Sequence, residues 1–98
     1  MVHYYVVKRK IKVTKDGITN EYELPDVYIK AWDTIEAVDK ANAIHNTLVR
    51  SYLAMGFELE NDFPAPLYQH YQVETLWLRT TVLRKGNISV VIHTRLIR

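Results

Sequence analysis

The longest regular pattern of apolar and polar positions in the chain lies between residues 33 and 56. Apolar residues recur there at helical spacing, so they share one side of a wheel drawn at about 100° per residue. Asp33 is a suitable N-cap, and Glu36 three positions later completes a capping box. Gly56 is the residue type that closes a helix in the left-handed conformation. The pattern predicts one long amphipathic helix, with the small residue Ala41 near the middle of its apolar side.

An alternating pattern before the helix predicts a β-hairpin. Residues 2–14 are rich in β-branched and aromatic residues, which alternate with lysines. The dipeptide Asp16-Gly17 favours a type I′ turn. With those two residues as the loop, Lys12 lies opposite Glu21, an opposite-charge pair across the strands. Such pairs weaken the interpretation of the lysine-rich strand as a free basic patch.

Proline interrupts the second strand of this hairpin. Pro25 has no backbone N–H to donate, so it belongs at an edge or a bulge. A one-residue bulge there sets Val27 opposite Val7 and Ile29 opposite Tyr5. We therefore expect the second strand to resume after the bulge and to continue the core face.

A second hairpin follows the helix, formed by residues 73–84 and 88–97. A three-residue loop at 85–87 gives the cleaner separation of apolar positions. A two-residue loop at Gly86-Asn87 is the alternative, and it would mix the two faces. The three-residue loop puts six residues on the face that the helix does not cover: Trp77, Arg79, Leu83, Val91, His93 and Arg95.

The order of elements predicts a single α+β domain over residues 1–98. Its arrangement is ββαββ, an antiparallel four-stranded sheet with one long helix packed on one face. Residues 58–72 contain Pro64 and Pro66 and are expected to form an irregular, partly extended connection.

One helix cannot cover both faces of such a sheet, so an apolar area remains. An exposed apolar face usually marks an interface. The six residues above are therefore candidates for binding a protein partner or a second copy of the chain. Two alternatives remain open. The connection at 58–72 could fold over this face and complete the core, or the cationic and aromatic members, Trp77, Arg79, His93 and Arg95, could bind nucleic acid.

Acidic residues cluster near the second strand and the start of the helix. Four of them have no predicted cross-strand partner: Asp26, Asp33, Glu36 and Asp39. Such a patch could engage a basic surface as a secondary site. The alternative is structural, because Asp33 and Glu36 are already needed as caps at the positive end of the helix dipole.

Composition excludes several kinds of chemistry. The 98 residues are 48% hydrophobic, carry a net charge of +2 and include no cysteine. His45 lies on the apolar side of the helix and is expected to be buried, and no histidine pair has metal-binding spacing. Ser51 and Ser89 lie in no nucleophile motif. We expect no enzyme, no cofactor and no metal. Without a signal peptide or a membrane-length apolar run, we expect a cytoplasmic protein.

The junction of strand and helix, VYIKAWDTIEAVDKA at 27–41, resembles segments of small accessory proteins from phages and other mobile elements. Anti-CRISPR and similar anti-defence inhibitors are found among those proteins. The resemblance implies function through protein binding without chemistry, and it carries over no functional residues. Our leading hypothesis is a small inhibitor or accessory protein that acts through its exposed sheet face. The alternative is a nucleic-acid-binding module.

Overall fold

A computed structural model of the chain describes residues 1–64 and 75–98. Within these ranges the order of elements is βββαβββ. The elements are β1 (His3–Lys15), β2 (Ile18–Glu23), β3 (Val27–Ala31), α1 (Thr34–Ala54), β4 (Glu58–Pro64), β5 (Thr75–Lys85) and β6 (Ile88–Ile97). The predicted α+β class, with one helix packed on a sheet, is confirmed. The predicted four strands and ββαββ order are wrong, because the sheet has six strands in the described part of the chain.

The strands lie in the order β2-β1-β6-β5-β4, and β3 also pairs with β1. Every one of these pairings is antiparallel. The long strand β1 carries two short partners along one edge, since β2 pairs with 10–15 and β3 pairs with 3–7. Strands β1 and β6 therefore form the centre of the sheet.

The interruption at Pro25 separates β2 from β3. Lys12 lies opposite Glu21, and Val27 lies opposite Val7, so both predicted registers are confirmed. Between the two strands the chain leaves the ladder, and there Leu24 donates its N–H to the carbonyl of Arg9 at 3.1 Å. Because Pro25 has no N–H to donate, the single strand predicted here is divided into two.

Strand β4 was not expected. Residues 58–64 pair with β5, with an irregularity between Leu59 and Asn61. The prediction of an irregular connection is therefore wrong for this part. The rest of that connection, and the first two residues of the predicted strand at 73–84, lie outside the described residues.

The helix begins and ends as its sequence predicts. The carboxylate of Asp33 accepts a hydrogen bond from the N–H of Glu36 at 2.9 Å. At the other end Gly56 has a φ of +93°, in the left-handed region that favours glycine. The N–H of Phe57 reaches the carbonyl of Tyr52 at 3.1 Å, and their rings meet edge to face at 5.4 Å between centroids. This is a Schellman closure with its hydrophobic contact.

The second hairpin has the shorter of the two possible loops. Lys85 pairs with Ile88, so Gly86 and Asn87 alone form the turn. The three-residue register is wrong. A change of register by one residue moves a strand's side chains to the opposite face, because side chains alternate with a period of two. From Trp77 to Leu83 the assignment of faces on β5 is therefore reversed from the prediction, while the assignment on β6 holds.

Two clusters of buried residues lie between α1 and the sheet. The first contains Tyr5, Val7, Trp77 and Leu96 together with Ala37 and Ala41 of the helix. The second contains Ile11, Leu83, Val90 and Ile92 with Val49 of the helix. Ala41 is fully buried, as expected for a small residue where a helix lies close on a sheet.

Candidate binding face

The sheet has one face against α1 and one that no described helix covers, which we call the helix-free face. On β1, β6 and β5, three rows of cross-strand neighbours lie on it. Lys8, Arg95 and Leu78 form one row, Lys10, His93 and Thr80 the next, and Lys12, Val91 and Val82 the third. They alternate along each strand with the buried residues of the two core clusters.

The structure divides the six predicted partner-binding residues between the two faces. Val91, His93 and Arg95 of β6 lie on the helix-free face, as predicted. Trp77 and Leu83 lie against the helix, with exposed fractions of 6% and 0%. Arg79 shares their face and lies opposite Thr94 of β6. The prediction that all six form one exposed surface is wrong, because β5 has the other register.

Arg79 is held between β5, β4 and the helix. Its Nε and Nη2 donate to the two carboxylate oxygens of Asp62 at 3.0 and 2.7 Å. Its Nη1 donates to the side-chain oxygens of Asn42 and Asn46 at 2.7 and 2.6 Å. The Arg79 guanidinium is the main cause that lowers the pKa of Asp62. Because these contacts occupy its guanidinium, Arg79 holds α1 against the sheet and is not part of the helix-free face.

His45 is fully buried beside this group. Its Nε2 lies 2.7 Å from the hydroxyl of Thr81, and its Nδ1 lies 2.6 Å from the hydroxyl of Thr94. Thr81 donates its hydroxyl hydrogen to Asp62, so it accepts from His45. Nε2 of His45 therefore carries a hydrogen. Burial, followed by the charge of Arg79, lowers the pKa of His45 to about 4.

Basic side chains line the centre of the helix-free face. Lys8, Lys10 and Lys12 on β1 lie beside Arg95 and His93 on β6. Lys8 pairs with Asp26 at 2.9 Å, and Lys12 pairs with Glu21 at 3.4 Å.

From the sequence, these lysines are not expected to form a free basic patch, because acidic residues lie opposite them on β2. The sequence pattern does not show that two basic segments of the chain become neighbours in the sheet. The segments 1–15 and 79–98 are both strongly basic. Once they pair as β1 and β6, their charges add on one face.

The surroundings of His93 on this face lower the pKa of its imidazole. Its Nδ1 lies 2.7 Å from the hydroxyl of Thr80 on the neighbouring strand. Its pKa is lowered first by burial, and then by the charges of Lys10, Arg95 and Lys12. Burial and the neighbouring positive charges both disfavour the charged imidazole, so His93 is harder to protonate than an ordinary histidine.

Aromatic and aliphatic residues adjoin the basic centre. Tyr4 and Tyr28 are 66% and 75% exposed, and Val6 between them is half-buried. The ammonium of Lys30 lies 5.8 Å from the centre of the Tyr4 ring. Aromatic and cationic side chains around half-buried aliphatic ones are typical of binding surfaces.

The four residues of the predicted acidic patch have different roles. Asp26 pairs with Lys8. Asp33 caps the helix. Glu36 accepts from the N–H of Trp32 at 3.3 Å and pairs with Lys40 at 3.2 Å. Asp39 is exposed on the helix. Three of the four thus already have structural contacts.

No protein-family model, no curated protein and no solved structure matches the chain. In the described ranges, no three histidine, aspartate or glutamate side chains are grouped so as to hold a metal ion. The single helix described here is neither long nor apolar enough to cross a membrane.

Proposed function

We propose that this protein acts by contact rather than by catalysis and binds an acidic protein surface through its helix-free face. The supporting observation is the row of Lys8, Lys10 and Lys12 beside Arg95, among half-buried aliphatic residues. Charge complementarity selects an acidic partner, and the aliphatic residues supply apolar contact. The partner-binding set becomes Val91, His93 and Arg95 with the three lysines of β1. Trp77, Arg79 and Leu83 no longer belong to this set, because they lie on the face of the sheet that packs against the helix.

The same charges argue against a homodimer built on this face. In a symmetric dimer each patch meets its own copy. Lys10 and Arg95 of one chain would then approach the same cations of the other, and like charges across an interface cost several kcal/mol. We therefore propose a monomer in the cytoplasm that binds a different protein. Inhibition of a larger host machine, as in anti-defence proteins of mobile elements, is the setting that we favour.

The experiment compares two variants of equal charge change. Lys10→Glu alters the centre of the helix-free face, and Arg50→Glu alters an exposed position on the helix. Proteins captured from a host extract by the wild type are purified and titrated calorimetrically. We expect a partner that binds the wild type and Arg50→Glu equally and binds Lys10→Glu at least about tenfold more weakly. Equal affinities for all three chains would refute the proposal, provided that circular dichroism shows all three folded.

A second candidate function is binding of single-stranded nucleic acid. It is favoured by Tyr4 and Tyr28, whose exposed rings lie on the same face as the lysines. Exposed aromatic rings beside a basic track can stack bases. The affinity for a fluorescent oligonucleotide would then fall with salt, with a log–log slope of about −0.7 per neutralised phosphate. Arg95→Ala would weaken this binding. Arg79→Ala is no test of it, because Arg79 lies against the helix. Absence of binding at low salt would exclude this candidate.

A further inference from the structure

A notch opens at the edge of β1, where β2 has ended and β3 has not begun. It exists because the chain at Pro25 leaves the ladder, so that only one backbone hydrogen bond, from Leu24 to Arg9, is made there. The cavity has a volume of about 290 Å³ and reaches the helix-free face, since His93 and Arg95 of β6 line it. Its volume is at the small end of the range for ligand sites.

The lining of the notch carries excess positive charge. Four cations line it, from Lys8, Arg9, Lys10 and Arg95, against the two carboxylates of Glu23 and Asp26. Asp26 is already neutralised by Lys8 at 2.9 Å. For Lys10 and Arg95, no carboxylate of the described residues lies within 4.0 Å. These two cations are therefore available to a ligand.

Two further groups in the lining have unused hydrogen-bonding capacity. Arg9 donates from Nη2 to the carbonyl of Pro25 at 3.1 Å. Its Nε is buried without a hydrogen-bond partner in the described part of the chain. His93 uses Nδ1 with Thr80, and so retains Nε2 for another partner. Because the Arg9 Nε has almost no solvent-accessible surface, His93 is the one of these two groups that a ligand in the notch can reach.

We propose that this notch binds the phosphate group of a ligand, with Lys10 and Arg95 as its charged contacts and His93 beside them. The excess of two positive charges matches a phosphate monoester, which carries about −1.5 to −2 at neutral pH. A planar guanidinium meets two phosphate oxygens at once, and a lysine ammonium adds a point charge. The notch shares Lys8, Lys10, His93 and Arg95 with the proposed protein-binding surface, but the inference rests on the cavity and its charges, so it can be tested without the partner.

The test is a titration of the isotopically labelled protein with inorganic phosphate, followed by NMR. We expect saturable shifts at Lys8, Lys10, His93 and Arg95, and a rise in the pKa of His93 when an anion lies beside it. Sulfate, whose charge is constant over this pH range, checks that the rise belongs to the histidine. Arg95→Gln should weaken binding about tenfold, since hydrogen bonds to charged groups are worth about 1.5–3 kcal/mol. Arg50→Gln on the helix removes the same charge and should bind like the wild type.

The outcome that would overturn the site is a linear, non-saturating shift that Arg95→Gln leaves unchanged. Lys10→Gln supplies a second variant if Arg95→Gln fails to fold. A fluorescent single-stranded oligonucleotide then distinguishes the two sources of phosphate. If phosphate displaces the oligonucleotide and Arg95→Gln weakens both, the nucleic-acid backbone is the ligand. If phosphate binds and the oligonucleotide does not, the ligand is a small phosphate ester. Failure of the protein-partner experiment would alter neither result.

Discussion

The guanidinium of Arg79 and the carboxylate of Asp62 meet in two parallel hydrogen bonds, of 3.0 and 2.7 Å. This pair joins β5 to the edge strand β4, and through Asn42 and Asn46 it also joins the sheet to the helix. The side chain of Arg79 is only 14% exposed, so water cannot easily replace these contacts. An isolated pair at the surface would contribute much less.

Replacing Arg79 should destabilise the protein. Arg79→Ala removes the donor to both asparagines and leaves Asp62 with Thr81 alone, so we expect the free energy of unfolding to fall by about 2 kcal/mol. Arg79→Lys should recover only part of the loss, because an ammonium cannot make the two parallel bonds. Urea denaturation measures both. Arg84→Ala removes an exposed arginine that pairs with Glu60, and it serves as the control with a much smaller effect. Equal losses for Arg79→Ala and Arg84→Ala would contradict this account.

The buried histidine should make stability depend on pH. The pKa of His45 is about 4 in the folded chain against about 6.5 for an ordinary histidine, so between these values the unfolded chain binds a proton that the folded chain does not. Stability is then fully present above pH 6.5 and decreases as the pH falls towards 4. The total change is about 3 kcal/mol.

Urea midpoints at several pH values should show this decline. The decline should be largely absent from His45→Gln, whereas His93→Gln should retain most of it. Direct NMR titration of the His45 ring provides a check that does not require a variant to fold. A ring that titrates near 6.5 in the folded protein would refute the prediction.

Two leucines of β5 test the register of the second hairpin. Leu83 is fully buried in the second core cluster, whereas Leu78 is half-buried on the helix-free face. We expect Leu83→Ala to cost about 3 kcal/mol of stability, because it removes buried methyl groups and leaves a cavity. Leu78→Ala should cost less than half as much. The three-residue loop would reverse this order, so chemical denaturation of the two variants decides between the registers.

Substitution of Asp33 and Asp39, two members of the predicted acidic patch, distinguishes a role in capping the helix from a role in binding a partner. Asp33→Ala removes the N-cap and should cost about 1 kcal/mol of stability. Asp39→Ala changes an exposed helix residue and should leave the denaturation midpoint almost unchanged. If the patch is structural rather than an interface, neither variant should alter the affinity for an identified partner. A loss of affinity in Asp39→Ala at unchanged stability would instead make the acidic patch a second binding surface.

The register of the first hairpin could be predicted because several signals agree there. The Asp16-Gly17 turn fixes the loop length, and Lys12 opposite Glu21 fixes the charge pattern. The helix was predictable for the same reason, since Asp33 and Gly56 mark its ends independently of its apolar side.

The second hairpin was not predictable from pattern alone. Both faces of β5 carry apolar residues, so neither loop length leaves an obviously wrong surface. The polar contacts of Arg79 were equally hidden, because its partners come from β4 and the helix, which are distant in the sequence. The basic face required knowing that β1 pairs with β6, which no local signal reveals.

That central pairing also governs how the chain can fold. The first strand, β1, forms the middle of the sheet only with the last strand, β6, so the middle cannot close until almost all of the described chain has been synthesised. Contacts between residues so far apart in the chain slow folding. Until β6 arrives, a newly made β1 has an open edge that a chaperone or a neighbouring nascent chain can reach. We therefore expect the first hairpin and the helix to form early and to wait for the final strand.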